Sequence, residues 1–195
     1  MRKILLDCGC HYGKGLRKQI EINHITPAWK IFCWEANPYT YEHFLKIDRF
    51  KHLDITAYHS AVSNENGTIK FNVQSSGGRN GGSTKSGTGS SIVSLDEWKC
   101  KGGEFVEELE VPRIDLSEWM FDNLKKDDFV ILKMDIEGAE YDVLERIIEN
   151  DVIKLIDKVY IEWHSHMFSN PEKYKIREQV IMNEFQKNNI SVENW

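Results

Sequence analysis

Short apolar runs alternate along this chain with segments whose apolar positions recur at helical spacing. Lys3–Asp7 (KILLD), Trp29–Glu35 (WKIFCWE), Asp54–Ser60 (DITAYHS), Phe129–Asp135 (FVILKMD) and Val159–Trp163 (VYIEW) read as strands. Between them, Gly13–Ile22, Tyr39–Ile47, Leu116–Asn123, Gly138–Asn150 and Pro171–Asn188 read as helices. Asn37-Pro38 is a helix entrance, with Asn as cap and Pro in the first turn, and Asp115 caps the helix that follows it. Val143, Leu144, Ile147 and Ile148 share one side of the Gly138–Asn150 helix. Asn66-Gly67 predicts a hairpin leading into a strand at Thr68–Val73, and Glu107–Arg113 reads as an exposed strand interrupted by Pro112. Ser75–Ser91 is a Gly/Ser-rich stretch with almost no apolar side chains, which predicts a surface loop or a lid.

Alternating strands and helices with fully apolar strands predict an α/β fold: a doubly wound, mostly parallel sheet covered on both faces. Ligands bind such sheets at the carboxyl ends of the strands. The chemistry is therefore expected after Asp7, Glu35, Ser60, Asp135 and Trp163, and four of these five ends carry a carboxylate at or next to them.

Length and composition narrow the class. The 195 residues, 41% hydrophobic and 29% charged, suit a single folded domain spanning 1–195 with an inserted loop at 75–91. No apolar run reaches the roughly 20 residues of a membrane span. The first residues lack the apolar region of a signal peptide. A net charge of −6 argues against a duplex-binding partner. Cys8, Cys10, Cys33 and Cys100 are few and irregularly spaced, which predicts reduced thiols and a cytoplasmic location. Cys8-Gly9-Cys10-His11 has no second Cys/His pair at zinc-like spacing.

Asp7-x-Gly9-x-x-x-Gly13-x-Gly15 follows the first strand and lets the backbone approach a ligand closely. The spacing is not that of a dinucleotide fingerprint, and no GxxxxGK[ST] loop is present. Glu35, ending the second strand, offers two oxygens to the hydroxyls of a ribose, which points to S-adenosylmethionine or NAD.

Three segments then carry a resemblance: DCGCHYGKG at 7–15, WEANP at 34–38 and LKMDIEGAEYDVLE at 132–145. Together they resemble the FkbM-type S-adenosylmethionine-dependent methyltransferases, the last segment most specifically. Ala61-Val62-Ser63, Gly89–Ile92, Val111–Leu116 and IEWH at 161–164 resemble further pieces of that family, in its order, over residues 3–168. The resemblance implies a class I methyltransferase fold. It implies Asp7, Gly9, Tyr12 and Gly13 around the amino-acid part of the cofactor and Glu35 on the ribose. It also implies Ala36, Asn37 and Ala61 near the adenosine, Ser90 and Ser91 closing over it, and Asp135 facing the reacting centre. The chain starts almost at the first strand and ends at NNISVENW, without the family's usual final antiparallel hairpin, so it reads as a minimal version or a piece of a larger protein.

Transfer of a methyl group to a hydroxyl calls for a base or a metal. Asp135 and Glu137 are two apart, as are Glu162 and His164 on the next strand, so these four are the expected catalytic groups. Asp135, Glu137 and Glu162 also form an oxygen set for Mg²⁺. His166 and Glu140 rank behind them, Glu140 reading equally as an ordinary first-turn acid. Lys133, inside a buried strand, predicts a carboxylate partner, and Tyr12, Trp163 and Phe168 could form a sugar-stacking wall. His59 reads as a satisfied strand-end histidine. The expected function is O-methylation of a sugar hydroxyl in a glycan or glycosylated metabolite, by a homodimer or a module fused to a glycosyltransferase. The alternatives are a non-catalytic cofactor-binding module of glycan synthesis, a nucleic-acid methyltransferase and an NAD enzyme.

Overall fold

The computed structural model describes residues 1–77, 83–85, 87–98 and 104–195. Its elements, in chain order, begin with β1 (Lys3–Cys8), α1 (Lys14–Ile22), β2 (Lys30–Glu35), α2 (Pro38–Phe44) and β3 (Asp54–His59). Then come β4 (Ala61–Ser63), β5 (Gly67–Gln74), β6 (Ser76–Gly77), β7 (Ser83–Thr84), β8 (Phe105–Asp115) and α3 (Leu116–Asn123). The chain closes with β9 (Phe129–Met134), α4 (Glu140–Glu149), β10 (Lys158–Ile161), α5 (Pro171–Lys187) and β11 (Ser191–Asn194).

Six strands form one parallel sheet in the order β11-β10-β9-β1-β2-β3. The chain builds outward from β1 to β3, then returns to the other side of β1 and builds outward again to β11. The order reverses between β1 and β9, which opens a crevice at their carboxyl ends. Side chains leave successive residues of a strand on opposite faces, so each apolar run feeds two cores. Ile4, Leu6, Cys8, Val130, Leu132 and Met134 pack under α3, α4 and α5. Leu5, Ile31, Cys33 and Ile131 pack under α1 and α2, against Leu16, Phe44 and Phe50. Doubly covered strands of this kind are what the uninterrupted apolar runs require.

The expected strands and helices form with shifts of one to three residues at their ends. Three features differ from expectation. The strand β8 runs straight through Pro112, at the centre of a small sheet ordered β4-β8-β5. The Pro112 carbonyl accepts the Ser60 hydroxyl at 3.2 Å, so the side of the strand where proline lacks an N–H faces β4, one residue before β4 begins to pair at Arg113. The hairpin expected at Asn66-Gly67 does not form: β4 and β5 do not pair with each other, and both pair with β8 between them. The chain's last residues, for which the sequence predicts no element, form β11, parallel to β10.

The loop at 75–91 is described in part. Its remainder at 78–82 and 86 lies outside the described residues, as does Cys100. Cys8, Cys10 and Cys33 are buried free thiols. No helix among the described residues is long and apolar enough to cross a membrane.

Candidate active site

A cavity of about 520 Å³ opens at the carboxyl ends of β1, β2 and β9. Of the expected site residues, Gly9, Glu35, Ala36, Asn37, Ala61, Ser90, Ser91, Asp135 and Glu137 line it. Asp7, Tyr12, Gly13, Glu162 and His164 do not.

Gly9 sits where β1 and β9 converge. Its φ is +80°, and a β-carbon there would fall 1.9 Å from the Asp135 carbonyl oxygen. Only glycine lets the two strand ends meet at the switch point. Gly13, also left-handed at φ +69°, is pressed against the Phe50 ring rather than the cavity, so its role is packing.

Glu35 is 7% exposed. One carboxylate oxygen accepts the His11 N–H at 2.7 Å and the other the Asn37 N–H at 2.9 Å. Each oxygen has a second acceptor site, so a fixed carboxylate with spare acceptor capacity faces the cavity. Asn37 caps α2 through its side-chain oxygen, which accepts the Tyr39 N–H at 3.0 Å, and its amide donates to the Lys85 carbonyl at 3.0 Å. That bond ties the Ser-rich segment to the end of β2. The Ser90 hydroxyl accepts the Gln74 N–H and donates to the Gly87 carbonyl, both at 2.9 Å. The Ser91 hydroxyl donates to the Glu137 carbonyl at 2.5 Å. Both serines therefore shape the cavity wall by holding backbone. Phe71 and Ile92 supply its apolar surface.

Asp7 is fully buried beneath this floor. Asp7 and Lys133 are register partners on β1 and β9, so their side chains share the face under α1. The Lys133 ammonium lies 3.3 Å from Asp7 and 3.4 Å from Asp135, and it donates to the Gly9 carbonyl at 2.8 Å. Burial lowers the proton affinity of Lys133, but the two carboxylates outweigh it and hold the ammonium charged. The carboxylate partner expected of a buried lysine is thus found twice over.

The reacting end is built around His164, which is buried at the end of β10. Glu140, wholly buried in the first turn of α4, accepts the Ile136 and Gly138 N–H groups at 3.0 and 2.9 Å. It also pairs with His164 Nδ1 at 2.8 Å. His164 Nε2 faces Glu137 at 3.4 Å and Glu162 at 3.9 Å. Burial pulls the His164 proton affinity down, but Glu140, by charge and hydrogen bond, with Glu137 and Asp135, raises its pKa to about 9. Burial pushes the Glu137 carboxyl up to about 8, against the opposing pull of His164. Glu137 holds a left-handed backbone at φ +52°, which turns its side chain toward His164.

Glu140 is thus the partner of His164, a role that its expected reading as a first-turn acid understates. The three carboxylates expected to hold Mg²⁺, Asp135, Glu137 and Glu162, are not the group that the fold draws together. Asp135, Glu162 and His164 bring one ligand atom each within 4.8 Å of the others, while Glu137 pairs with His164. The expected aromatic wall does not assemble. Tyr12 packs edge-on against His43 on the α2 side, Phe168 stacks on Tyr174, and Trp163 tilts against Tyr141. His166 is exposed, its ring stacked 6.3 Å from that of His164. His59 Nε2 lies 3.1 Å from the Ala36 carbonyl, satisfied as expected. Sequence reading missed the cavity wall formed by Lys14, Arg17, Lys18 and Trp195. The helical spacing of the three cations was its only signal.

Residues 7–187 match the family described as the methyltransferase FkbM domain. Among solved structures, the methyltransferase FkbM from Methylobacillus flagellatus KT is 13% identical, with a TM-score of 0.45, over 76% of this chain and 30% of that one. The chain thus spans less than a third of that protein's length. Curated proteins yield no match.

Proposed function

The chain belongs to the FkbM methyltransferase family, and from that footing we propose that it moves a methyl group from S-adenosylmethionine to a hydroxyl of a sugar, in a glycan or glycosylated metabolite. The observation that carries the cofactor assignment is Glu35. It is a buried carboxylate at the end of β2, fixed by two backbone N–H groups, with acceptor capacity left for two ribose hydroxyls. The Gly9 approach and the Asp135 carboxylate beside it fit the amino-acid and sulfonium parts.

When bound, the cofactor supplies an electrophilic methyl: the C–S bond breaks, a C–O bond forms, and the hydroxyl proton must leave. Asp135, whose carboxylate lines the cavity, takes that proton. Glu140 holds His164 Nδ1 and stabilises its imidazolium, whose Nε2 positions Glu137 beside the cavity. Asp135 and Glu137 face the cavity and favour a cationic ligand. Asn37 and the Ser90–Ser91 segment close the adenosine side against water.

The test is calorimetric titration with S-adenosylmethionine and S-adenosylhomocysteine. We expect micromolar binding of both, and a loss of more than tenfold in Glu35→Gln, because charge-assisted hydrogen bonds of about 1.5–3 kcal/mol are removed. Unchanged affinity in the variant refutes the assignment. Turnover on sugar acceptors, with Mg²⁺ and with chelator, then separates a transferase from a non-catalytic module.

A further inference from the structure

The wall of the cavity contributed by α1 has the opposite charge to the rest of the protein. Lys14, Arg17 and Lys18 all line the cavity at i, i+3 and i+4, so one turn of helix presents three cations on one face. The one acid α1 adds to this wall is Glu21, 3.8 Å from Arg17. Lys18 lies 4.0 Å over the ring of Trp195, which packs on Gly15 and closes the wall toward β11. The chain as a whole carries a net charge of −6, so this cluster is a local reversal.

The strand ends facing this wall are acidic. Asp135 and Glu137 line the cavity there, and Glu162 faces His164 just beyond. A cavity polarised in this way selects a ligand with an anion at one end and a neutral or cationic reacting group at the other. The methionine carboxylate of a bound cofactor would be a single negative charge. Three cations lining one wall exceed what that carboxylate can engage.

We propose that the methyl acceptor is an anionic sugar, bearing a phosphate, sulfate or carboxylate group, and that Lys14, Arg17 and Lys18 hold that group while the hydroxyl reaches Asp135. The inference rests on the reading of the cavity as an S-adenosylmethionine site and adds the substrate class. Anion recognition by this wall would fall with ionic strength, because Lys14, Arg17 and Lys18 are solvent-exposed.

The test uses the full chain saturated with S-adenosylhomocysteine and titrated with glucose 1-phosphate, glucuronate and glucose. At least one anionic sugar is expected to bind ten times more tightly than glucose, with the preference shrinking as NaCl is raised. Lys14→Ala/Arg17→Ala/Lys18→Ala is expected to abolish that preference while changing S-adenosylhomocysteine affinity less than threefold. Equal binding, or no binding, of the anionic sugars overturns the proposal. So does a triple variant that loses S-adenosylhomocysteine affinity tenfold, which would assign the cations to the cofactor. If S-adenosylhomocysteine itself fails to bind the parent protein, the cofactor reading falls first, and that result is distinct from the other two.

Discussion

Replacing Glu140 with Gln tests the pair at the centre of the reacting end. In the folded protein His164 is raised from 6.5 to about 9, and its side chain is 4% exposed, so solvent screens little of the effect. In the unfolded chain it returns to the ordinary value. A group whose folded pKa is raised contributes stability that is fully present below about pH 6.5 and is lost as pH climbs to about 9. A difference of about 2.5 units at 1.36 kcal/mol each amounts to roughly 3 kcal/mol. Glu137, raised to about 8, acts in the same direction, its contribution fading as pH rises from about 4.5 to 8. The protein should therefore lose stability between pH 6.5 and 9. In Glu140→Gln the charge and one acceptor of the paired N–H groups disappear, so the His164 titration should move down by at least one unit and the stability slope should flatten. NMR titration of the histidine ring reads the first, and urea unfolding at pH 6 and pH 9 reads the second. A His164 that titrates near 6.5 in the parent, or one unmoved by Glu140→Gln, refutes the reasoning and removes the pair from the mechanism.

Two further outcomes follow from the floor of the cavity. Lys133→Met should cost about 3–5 kcal/mol in urea unfolding, because it leaves the buried Asp7 uncompensated; Asp7→Asn should cost less, because Lys133 keeps Asp135, and the double variant should cost clearly less than the sum of the two; strict additivity would show that the pair is not coupled. Gly9→Ala should lower stability by on the order of 2–4 kcal/mol and abolish S-adenosylhomocysteine binding, since its β-carbon would overlap the Asp135 carbonyl; a thermal melt and a cofactor affinity like the parent's would contradict the close approach at the switch point.

Much of the sheet could be read directly from the chain because doubly buried strands demand unbroken apolar runs, and β1, β2 and β9 have them. Glu35 and Asn37 were legible for a related reason. A carboxylate ending a buried strand and an Asn-Pro opening a helix are local signals, fixed by a few neighbouring residues. The strand β11 escaped because an edge strand with exposed side chains shows no alternation to find. The β4-β8-β5 sheet escaped because its pairings join residues from about 30 to about 50 positions apart, and nothing local encodes such partners.

The site divides along the same line. The amino-acid sequence by itself determined which chemical groups arrive at the strand ends: Asp7, Glu35, Asp135, Glu137, Glu162 and His164. Tertiary structure decided which of them meet. Register placed Asp7 beside Lys133 and turned it away from the cavity. The packing of α4 against the end of β10 placed Glu140 on His164, 24 residues away in the chain. The fold of α1 over the sheet brought three surface cations onto one wall of the cavity. Burial and periodicity are short-range consequences of composition. The meeting of two charged groups depends on register and packing, which only the whole chain can specify.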